Sequence, residues 1–260
     1  MGWASYEEDN ASRFHQATVI RSKEHDALLP EAAPVTKLKA FAAPQPRPLP
    51  VIVLADVSGS MSENGKIEVL NDALKSMIIS FAKESRLRAE IQVGLITFGG
   101  EFAKEHLPLV AANRIEGVEA FKATGRTPMG NAFELARQLL EDKEKIPSRA
   151  YRPVLVLVSD GAPTDDWEAP LAALKGSERA QKASRFAMAI GADADRVMLG
   201  QFVNDRETPV FEADGARDIM KFFKAVTMSV VARSASVSPD QGLALDLGSD
   251  LSDDLDLDAL

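Results

Sequence analysis

The sequence predicts an α/β fold: a single domain with a doubly wound, mostly parallel central sheet flanked by helices. Two short runs, 51–55 and 154–158, contain only apolar residues. The absence of alternation in them is typical of parallel strands that are buried on both faces. Segments with apolar residues at helical spacing separate the predicted strands. Strands that alternate with helices build parallel sheets through crossover units, so this pattern indicates the fold class.

Hydrophobic periodicity predicts the first half of the domain. We predict a strand at 51–56, a helix at 67–81, strands at 91–98 and 106–110, a Gly/Pro-rich loop at 124–130 and a helix at 129–141. The helices are predicted because apolar residues recur every three or four positions, which gives each one a single apolar face. The strands are rich in β-branched and aromatic residues.

The second half of the domain has the same character. We predict a strand at 154–158, a helix at 178–185, a strand at 186–190, a helix at 194–203, a short edge strand at 209–213 and a last helix at 216–232. Pro209 places the short strand at an edge of the sheet, where a missing backbone donor costs no ladder bond.

Bulk composition excludes several classes of protein. The 260 residues are 45% hydrophobic, which supports a sizeable core, and contain no cysteine for a disulfide framework or a thiolate zinc site. The N-terminus lacks the basic region and apolar core of a secretory signal, and Tyr6 stands where a myristoylation signal needs Ser or Thr. No apolar run approaches the roughly 18 residues of a membrane span. We therefore expect a soluble cytoplasmic protein.

Composition also divides the chain. We predict a Pro-rich N-terminal extension at 1–50, the domain at 51–233 and an acidic Asp/Leu-rich tail at 234–260. The net charge is -9, but residues 238–260 hold seven Asp and no Lys or Arg, which leaves 32 acidic against 30 basic residues elsewhere, a net of -2. A nearly neutral body lacks the basic patch of a nucleic-acid-binding protein. We expect the tail to be disordered, although its interleaved leucines also suit a segment that folds on a partner.

Polar side chains at the ends of the two apolar strands predict a metal site. Asp56 ends the first strand, and Ser58 and Ser60 follow at alternate positions, which point the same way in an extended backbone. Asp160 ends the second, and open α/β sheets bind ligands beyond the carboxyl ends of their strands. Two close carboxylates resist joint ionisation unless a cation lies between them. Thr127 adds a hydroxyl from the Gly/Pro-rich loop, and such hard oxygens suit Mg²⁺.

Three motifs make the chain resemble a known family. DVSGSM, TGRTPMG and VSDGAPTD are similar, in order and spacing, to the three loops of the metal-ion-dependent adhesion site (MIDAS) of von Willebrand factor A (VWA) domains. The resemblance covers about residues 51–232, and the form of the second loop and the closing helix resemble the bacterial TerY (YegL-like) type. It implies that Ser58 and Ser60 bind the metal directly, that Thr127 does so when a partner is engaged, and that Asp56 and Asp160 bind directly or through water.

The resemblance also implies a function. A VWA domain of this type is expected to hold Mg²⁺, with Mn²⁺ or Ca²⁺ as alternatives, and to bind a partner protein that offers an Asp or Glu to the metal. The TerY type implies partners such as a Ser/Thr kinase and a PP2C-like phosphatase, in bacterial stress, tellurite-resistance or defence gene sets. Neither a membrane nor a nucleic acid is expected as a partner.

Other interpretations remain open at the level of sequence. The chain lacks a Gly-x-Ser-x-Gly nucleophile elbow and a Walker loop, and Ser58 stands where an Asp-x-Asp phosphatase needs an acid, so we predict no enzymatic activity. A metal-free structural adaptor and a substrate phosphorylated within 234–238 are the alternatives. Thr127 could instead cap the helix that follows it. Asp165 and Asp166 are interpreted as helix N-terminal charges, with rim groups of the site as the alternative. An alternative to a solubilising tail is that one tail Asp supplies a metal ligand, in cis or to a neighbouring molecule.

Overall fold

A six-stranded sheet forms the centre of the fold, in the order β3-β2-β1-β4-β5-β6. The computed structural model describes residues 46–84, 88–203, 208–240 and 245, all within the compact unit Pro44–Leu260. The strands are β1 Arg47–Asp56, β2 Ala89–Gly99, β3 Phe102–Ala111, β4 Val154–Ser159, β5 Ser184–Ile190 and β6 Phe211–Ala213. Only β3 runs antiparallel to its neighbour, so the predicted doubly wound, mostly parallel fold is confirmed.

Helices cover both faces of this sheet. They are α1 Lys66–Lys83, α2 Met129–Glu141, α3 Glu168–Gly176, α4 Glu178–Lys182, α5 Arg196–Phe202 and α6 Ala216–Ala235, with short 3-10 helices at Gly59–Gly65 and Ala112–Arg114. In the described part of the chain, none of these helices is both long and apolar enough to cross a membrane.

The all-apolar run in β1 follows from this layering. Val51 and Val53 belong to the core beneath α1 and α6, whereas Ile52 and Leu54 belong to the core beneath α2 to α5. Alternate residues of one strand therefore fill two separate cores, which is why the sequence shows no polar alternation.

The first strand begins four residues earlier than the predicted Val51, inside the segment assigned to the Pro-rich extension. Residues 47–50 pair with β2 but lie outside the register with β4, which covers only 51–55. Pro48 and Pro50 are tolerated because that stretch has a strand neighbour on one side only. The remainder of the predicted extension, up to residue 45, lies outside the described residues.

Several other predictions need correction. The helix predicted at 178–185 ends at Lys182, because β5 begins at Ser184 to pair with β4. No bounds are predicted for α3, although Asp165 and Asp166 are interpreted as charges at a helix N-terminus. This helix buries only Leu171 and Leu174, and its first turn holds Pro170, where proline is tolerated. The last helix continues to Ala235, and the tail beyond residue 240 lies outside the described residues except for Leu245, which packs against the core beneath α6.

The order of the strands creates a crevice. From β1 the chain turns to β2 and β3 on one side of the sheet, and it then crosses to β4 on the other. Neighbouring β1 and β4 therefore form the switch point, where the loops beyond their carboxyl ends diverge and leave a ligand crevice.

Candidate metal centre

The first loop begins where β1 ends in the switch-point crevice. Asp56 is fully buried, and its Oδ1 accepts a hydrogen bond of 2.8 Å from the backbone N–H of Ser58. Ser58 is extended, but Ser60 already lies in the 3-10 helix Gly59–Gly65. The predicted extended backbone is therefore wrong beyond Ser58. The tight turn nevertheless brings the two hydroxyl oxygens, Oγ of Ser58 and of Ser60, to within 3.0 Å of each other.

The third loop contributes the second carboxylate. Asp160 follows β4 directly and is almost completely buried. Its Oδ1 accepts a hydrogen bond of 2.7 Å from the hydroxyl of Ser60. A chain of three side chains, Ser58, Ser60 and Asp160, thus links two loops that lie about a hundred residues apart in the sequence.

The second loop is fastened to the other two through its backbone. Gly59 N–H donates to Gly125 O at 3.0 Å, and Thr164 N–H donates to Thr127 O at 3.0 Å. Thr127 is buried, and a methyl group added to Gly161 would lie 3.9 Å from Thr127 Oγ1 and 4.0 Å from Ser60 Oγ. The structure therefore brings all five predicted ligand residues into one crevice.

Asp165 caps the N-terminus of α2, the helix that follows the second loop. Pro128 occupies the N-cap position and makes no side-chain capping bond. The carboxylate of Asp165 instead accepts hydrogen bonds from the N–H groups of Gly130 and Asn131 at 2.9 and 3.0 Å. Capping by Thr127 is therefore wrong. Asp165 serves as an N-terminal charge, but on α2 rather than on the helix that follows it in the chain.

Two contacts at this site were not predicted from the sequence. The hydroxyl of Ser159, a fully buried residue, donates to Oδ2 of Asp56 at 2.5 Å. The ammonium of Lys66 contacts Oδ2 of Asp160 at 2.7 Å. The available signals were a serine that ends an otherwise apolar strand and a lysine at the start of a helix, where the helix dipole disfavours positive charge.

Burial dominates the electrostatics of Asp56. The pKa of its carboxyl group is raised from 3.8 to about 6, and desolvation by burial is the largest cause. Hydrogen bonds from Ser159 and Ser58 lower this pKa, and the negative charge of Asp160 contributes to the rise. An ionised carboxylate at this position is therefore costly unless positive charge lies nearby. This cost, together with hard hydroxyl and carboxylate oxygens, fits a divalent cation such as Mg²⁺.

The composition of the site also favours a hard cation. Within the described ranges, no group of three or more His, Cys, Asp or Glu side chains is placed to hold a metal. A metal bound in this crevice would rely on hydroxyl oxygens beside two carboxylates. Oxygen donors without imidazole or thiolate suit Mg²⁺, Ca²⁺ and Mn²⁺.

The Ser159 contact gives a first prediction. We expect Ser159→Ala to lower the free energy of unfolding by about 1–3 kcal/mol at pH 7, because a buried carboxylate oxygen loses its donor. The measurement is urea denaturation in the presence of a chelator. As a control, Ser80→Ala removes an exposed hydroxyl that bonds Ser76 O, and we expect a change within about 0.5 kcal/mol. Equal effects of the two substitutions would contradict the role of Ser159.

Comparison with known families identifies the domain. A model of the von Willebrand factor type A domain matches residues 51–225. The chain belongs to the VWA family. VWA domains commonly mediate metal-dependent protein–protein interactions, and they are typically interaction modules rather than enzymes.

Individual relatives are distant. An uncharacterized protein of Mycobacterium tuberculosis is 30% identical over 116 residues, which cover 44% of this chain and 18% of that protein. Proximal thread matrix protein 1 from the mussel byssus superposes with a TM-score of 0.57 at 18% identity, over 72% of this chain and 49% of its own. A von Willebrand factor type A protein from Catenulispora acidiphila gives a TM-score of 0.54 at 18% identity, over 71% and 42%. The chain thus spans less than half the length of these relatives.

Proposed function

We propose that this VWA domain binds a partner protein through a divalent cation held by five side chains, Asp56, Ser58, Ser60, Thr127 and Asp160. The observation that carries the proposal is the convergence of three loops on one crevice, with the hydroxyl of Ser60 bonded to Asp160 and close to that of Ser58. Mg²⁺ is the expected ion, and Mn²⁺ or Ca²⁺ are alternatives. Proximal thread matrix protein 1 from the mussel byssus has a zinc-occupied MIDAS motif, which supports the choice of this crevice.

The residues of the chain have separate roles in this proposal. Asp56 is held rigidly, since its two oxygens are engaged by Ser58 N–H and Ser159 Oγ. The three hydroxyls supply neutral donors, and the two carboxylates balance the charge of the ion. When bound, Mg²⁺ supplies a coordination position at which an Asp or Glu of a partner can replace water. The proposed chemistry is ligation, with no bond broken, so we infer no enzymatic activity.

Calorimetric titration with Mg²⁺ and Mn²⁺ tests the proposal. We expect saturable binding to the wild-type protein and none to Asp56→Ala/Ser58→Ala, because that variant loses one carboxylate and one hydroxyl of the crevice. A matched control, Asp72→Ala/Ser76→Ala, makes the same chemical changes on the exposed side of α1 and should bind like the wild type. Absence of binding to the wild type would favour the metal-free adaptor.

The partner is a separate part of the proposal. The resemblance to the TerY type supports a cytoplasmic kinase and a PP2C-like phosphatase of a bacterial stress or tellurite-resistance system. Affinity purification with the wild type and with Asp56→Ala/Ser58→Ala identifies the metal-dependent partners as those lost only in the variant. Turnover of a phosphate ester by the purified protein, abolished by Asp56→Ala, would contradict the non-enzymatic proposal.

The position of Asp240, at the start of the acidic tail, bears on the alternative that a tail Asp binds the metal. Asp240 pairs with Arg47, at the beginning of β1 and about 30 Å along the strand from Asp56, so it is no ligand in cis. The remaining tail Asp residues lie outside the described residues.

The structure also bears on the proposed phosphorylation segment 234–238. Ser234 is buried and donates a hydrogen bond to Val231 O, which leaves the exposed Ser238 and the partly exposed Ser236 as acceptors for a kinase.

A further inference from the structure

An unexpected positive charge lies at the proposed metal centre. The Lys66 ammonium is 2.7 Å from Asp160 Oδ2, the Asp160 side chain is fully buried, and the Lys66 side chain is only 18% exposed. Lys66 is the first residue of α1, where the positive end of the helix dipole opposes a cation. Helix preference therefore does not account for this lysine, whereas the buried carboxylate does.

We propose that Lys66 gives the loaded site a net positive charge, which weakens binding of the cation and makes the site selective for an anionic ligand. The inference rests on the proposed function. With Asp56, Asp160 and Lys66 the protein contributes a charge of minus one, so a divalent ion leaves the site at plus one. Without Lys66 the two carboxylates neutralise the charge of the divalent ion completely. An anionic ligand then loses its electrostatic advantage over a neutral ligand such as water.

This role predicts two effects of opposite sign. Lys66 repels the incoming cation, and it also attracts a carboxylate of the partner. Both interactions act over a few ångströms in a largely buried crevice, where the effective dielectric constant is far below that of water. A purely structural partner of Asp160 would not produce this pair of effects, because its loss would disturb the carboxylate and weaken cation binding.

The first experiment is calorimetric titration of the whole chain with Mg²⁺ alone. We expect Lys66→Met to bind the ion about tenfold more tightly than the wild type, and Lys66→Arg to bind like the wild type. Lys66→Gln, which keeps a hydrogen-bond donor beside Asp160, should follow Lys66→Met. The matched control is Lys75→Met on the exposed face of α1, about 13 Å along the helix axis, and it should leave the affinity unchanged.

The second experiment uses acetate as the carboxylate probe. Each variant is loaded with Mn²⁺, and the water-proton relaxation rate is followed as acetate displaces metal-bound water. We expect Lys66→Met and Lys66→Gln to bind acetate severalfold more weakly than the wild type and Lys75→Met.

Each result decides a separate question. Tighter Mg²⁺ binding with weaker acetate binding supports the inference. Unchanged or weaker Mg²⁺ binding by both neutral variants, or unchanged acetate binding, overturns it, while the proposed function stands as long as the wild type binds the ion. Failure of the wild type to bind any divalent cation overturns both.

Discussion

Replacing Asp56 with asparagine is expected to stabilise the metal-free protein by about 3 kcal/mol at pH 7 and to remove its affinity for Mg²⁺. Burial raises the pKa of the Asp56 carboxyl group to about 6, so its ionised form is unfavourable in the fold at neutral pH. Asparagine removes that charge with little change in shape. Its amide can still accept from Ser58 N–H, and Ser159 Oγ can turn towards Gly161 O, 3.4 Å away.

The pH dependence follows from the same shift. Below about pH 4, Asp56 is protonated in the folded and unfolded chains, and its contribution to stability is fully present. Between about pH 4 and pH 6 the unfolded chain has released a proton that the folded chain retains, so the contribution falls by about 3 kcal/mol as the pH rises. The gain from Asp56→Asn should therefore be small at pH 4 and complete above pH 6.

Urea denaturation with a chelator at pH 4, 5, 6 and 7 measures this gain. The control Asp72→Asn, on an exposed position of α1, should change the free energy of unfolding by less than about 0.5 kcal/mol at every pH. Mg²⁺ at 100 times its dissociation constant should stabilise the wild type by about 2.7 kcal/mol and leave Asp56→Asn unchanged. A gain independent of pH would show that desolvation of the carboxylate is not its cause.

The parts of the fold that sequence predicts well are those in which one residue pattern has one physical explanation. The run 154–158 is apolar because both faces of the sheet are covered, and it coincides with β4 apart from the terminal Ser159. The helix α2 has the predicted bounds 129–141, since a sustained apolar face leaves few alternatives. In contrast, the start of β1 depends on which strands lie beside it, and local sequence does not reveal these neighbours. Pro48 and Pro50 are instead typical of a linker.

The candidate site also has parts that the sequence predicts and parts that only the structure reveals. Its five proposed ligands lie in compact motifs with an expected spacing, and the structure brings them together. The contacts that position them cannot be read from the motifs, although Ser159 itself lies within VSDGAPTD. Lys66 meets Asp160 across 94 positions of sequence, and Ser159 meets Asp56 across 103. Such contacts are set by strand order and helix placement, so they become visible only when β1 and β4 are seen as neighbours.

Gly130→Ala is expected to have the largest disruptive effect near the site. A methyl group at this position would lie 2.1 Å from the backbone oxygen of Asp166 and 3.0 Å from Trp167 Cα. No side-chain rotation relieves a contact with main-chain atoms, so the start of α2 must move away from the segment that follows the third loop. The bonds from Gly130 to Asp165 and between Thr127 and Thr164 join the same two segments and would be strained with them.

We therefore expect Gly130→Ala to lower the free energy of unfolding by about 1–3 kcal/mol, as overpacking does. It should also weaken Mg²⁺ binding by about 10- to 100-fold, because groups that orient metal ligands have effects of that size. Gly200→Ala is the matched control, since Gly200 lies in α5 with no atom closer than 4.0 Å to the new methyl group. That substitution should stabilise the protein by about 0.5–1 kcal/mol and leave the metal affinity unchanged. If Gly130→Ala bound Mg²⁺ as tightly as the wild type, the loop that carries Thr127 would hold its position without the packing at Gly130. The contact of Gly130 with Asp165 would then not help to position the site.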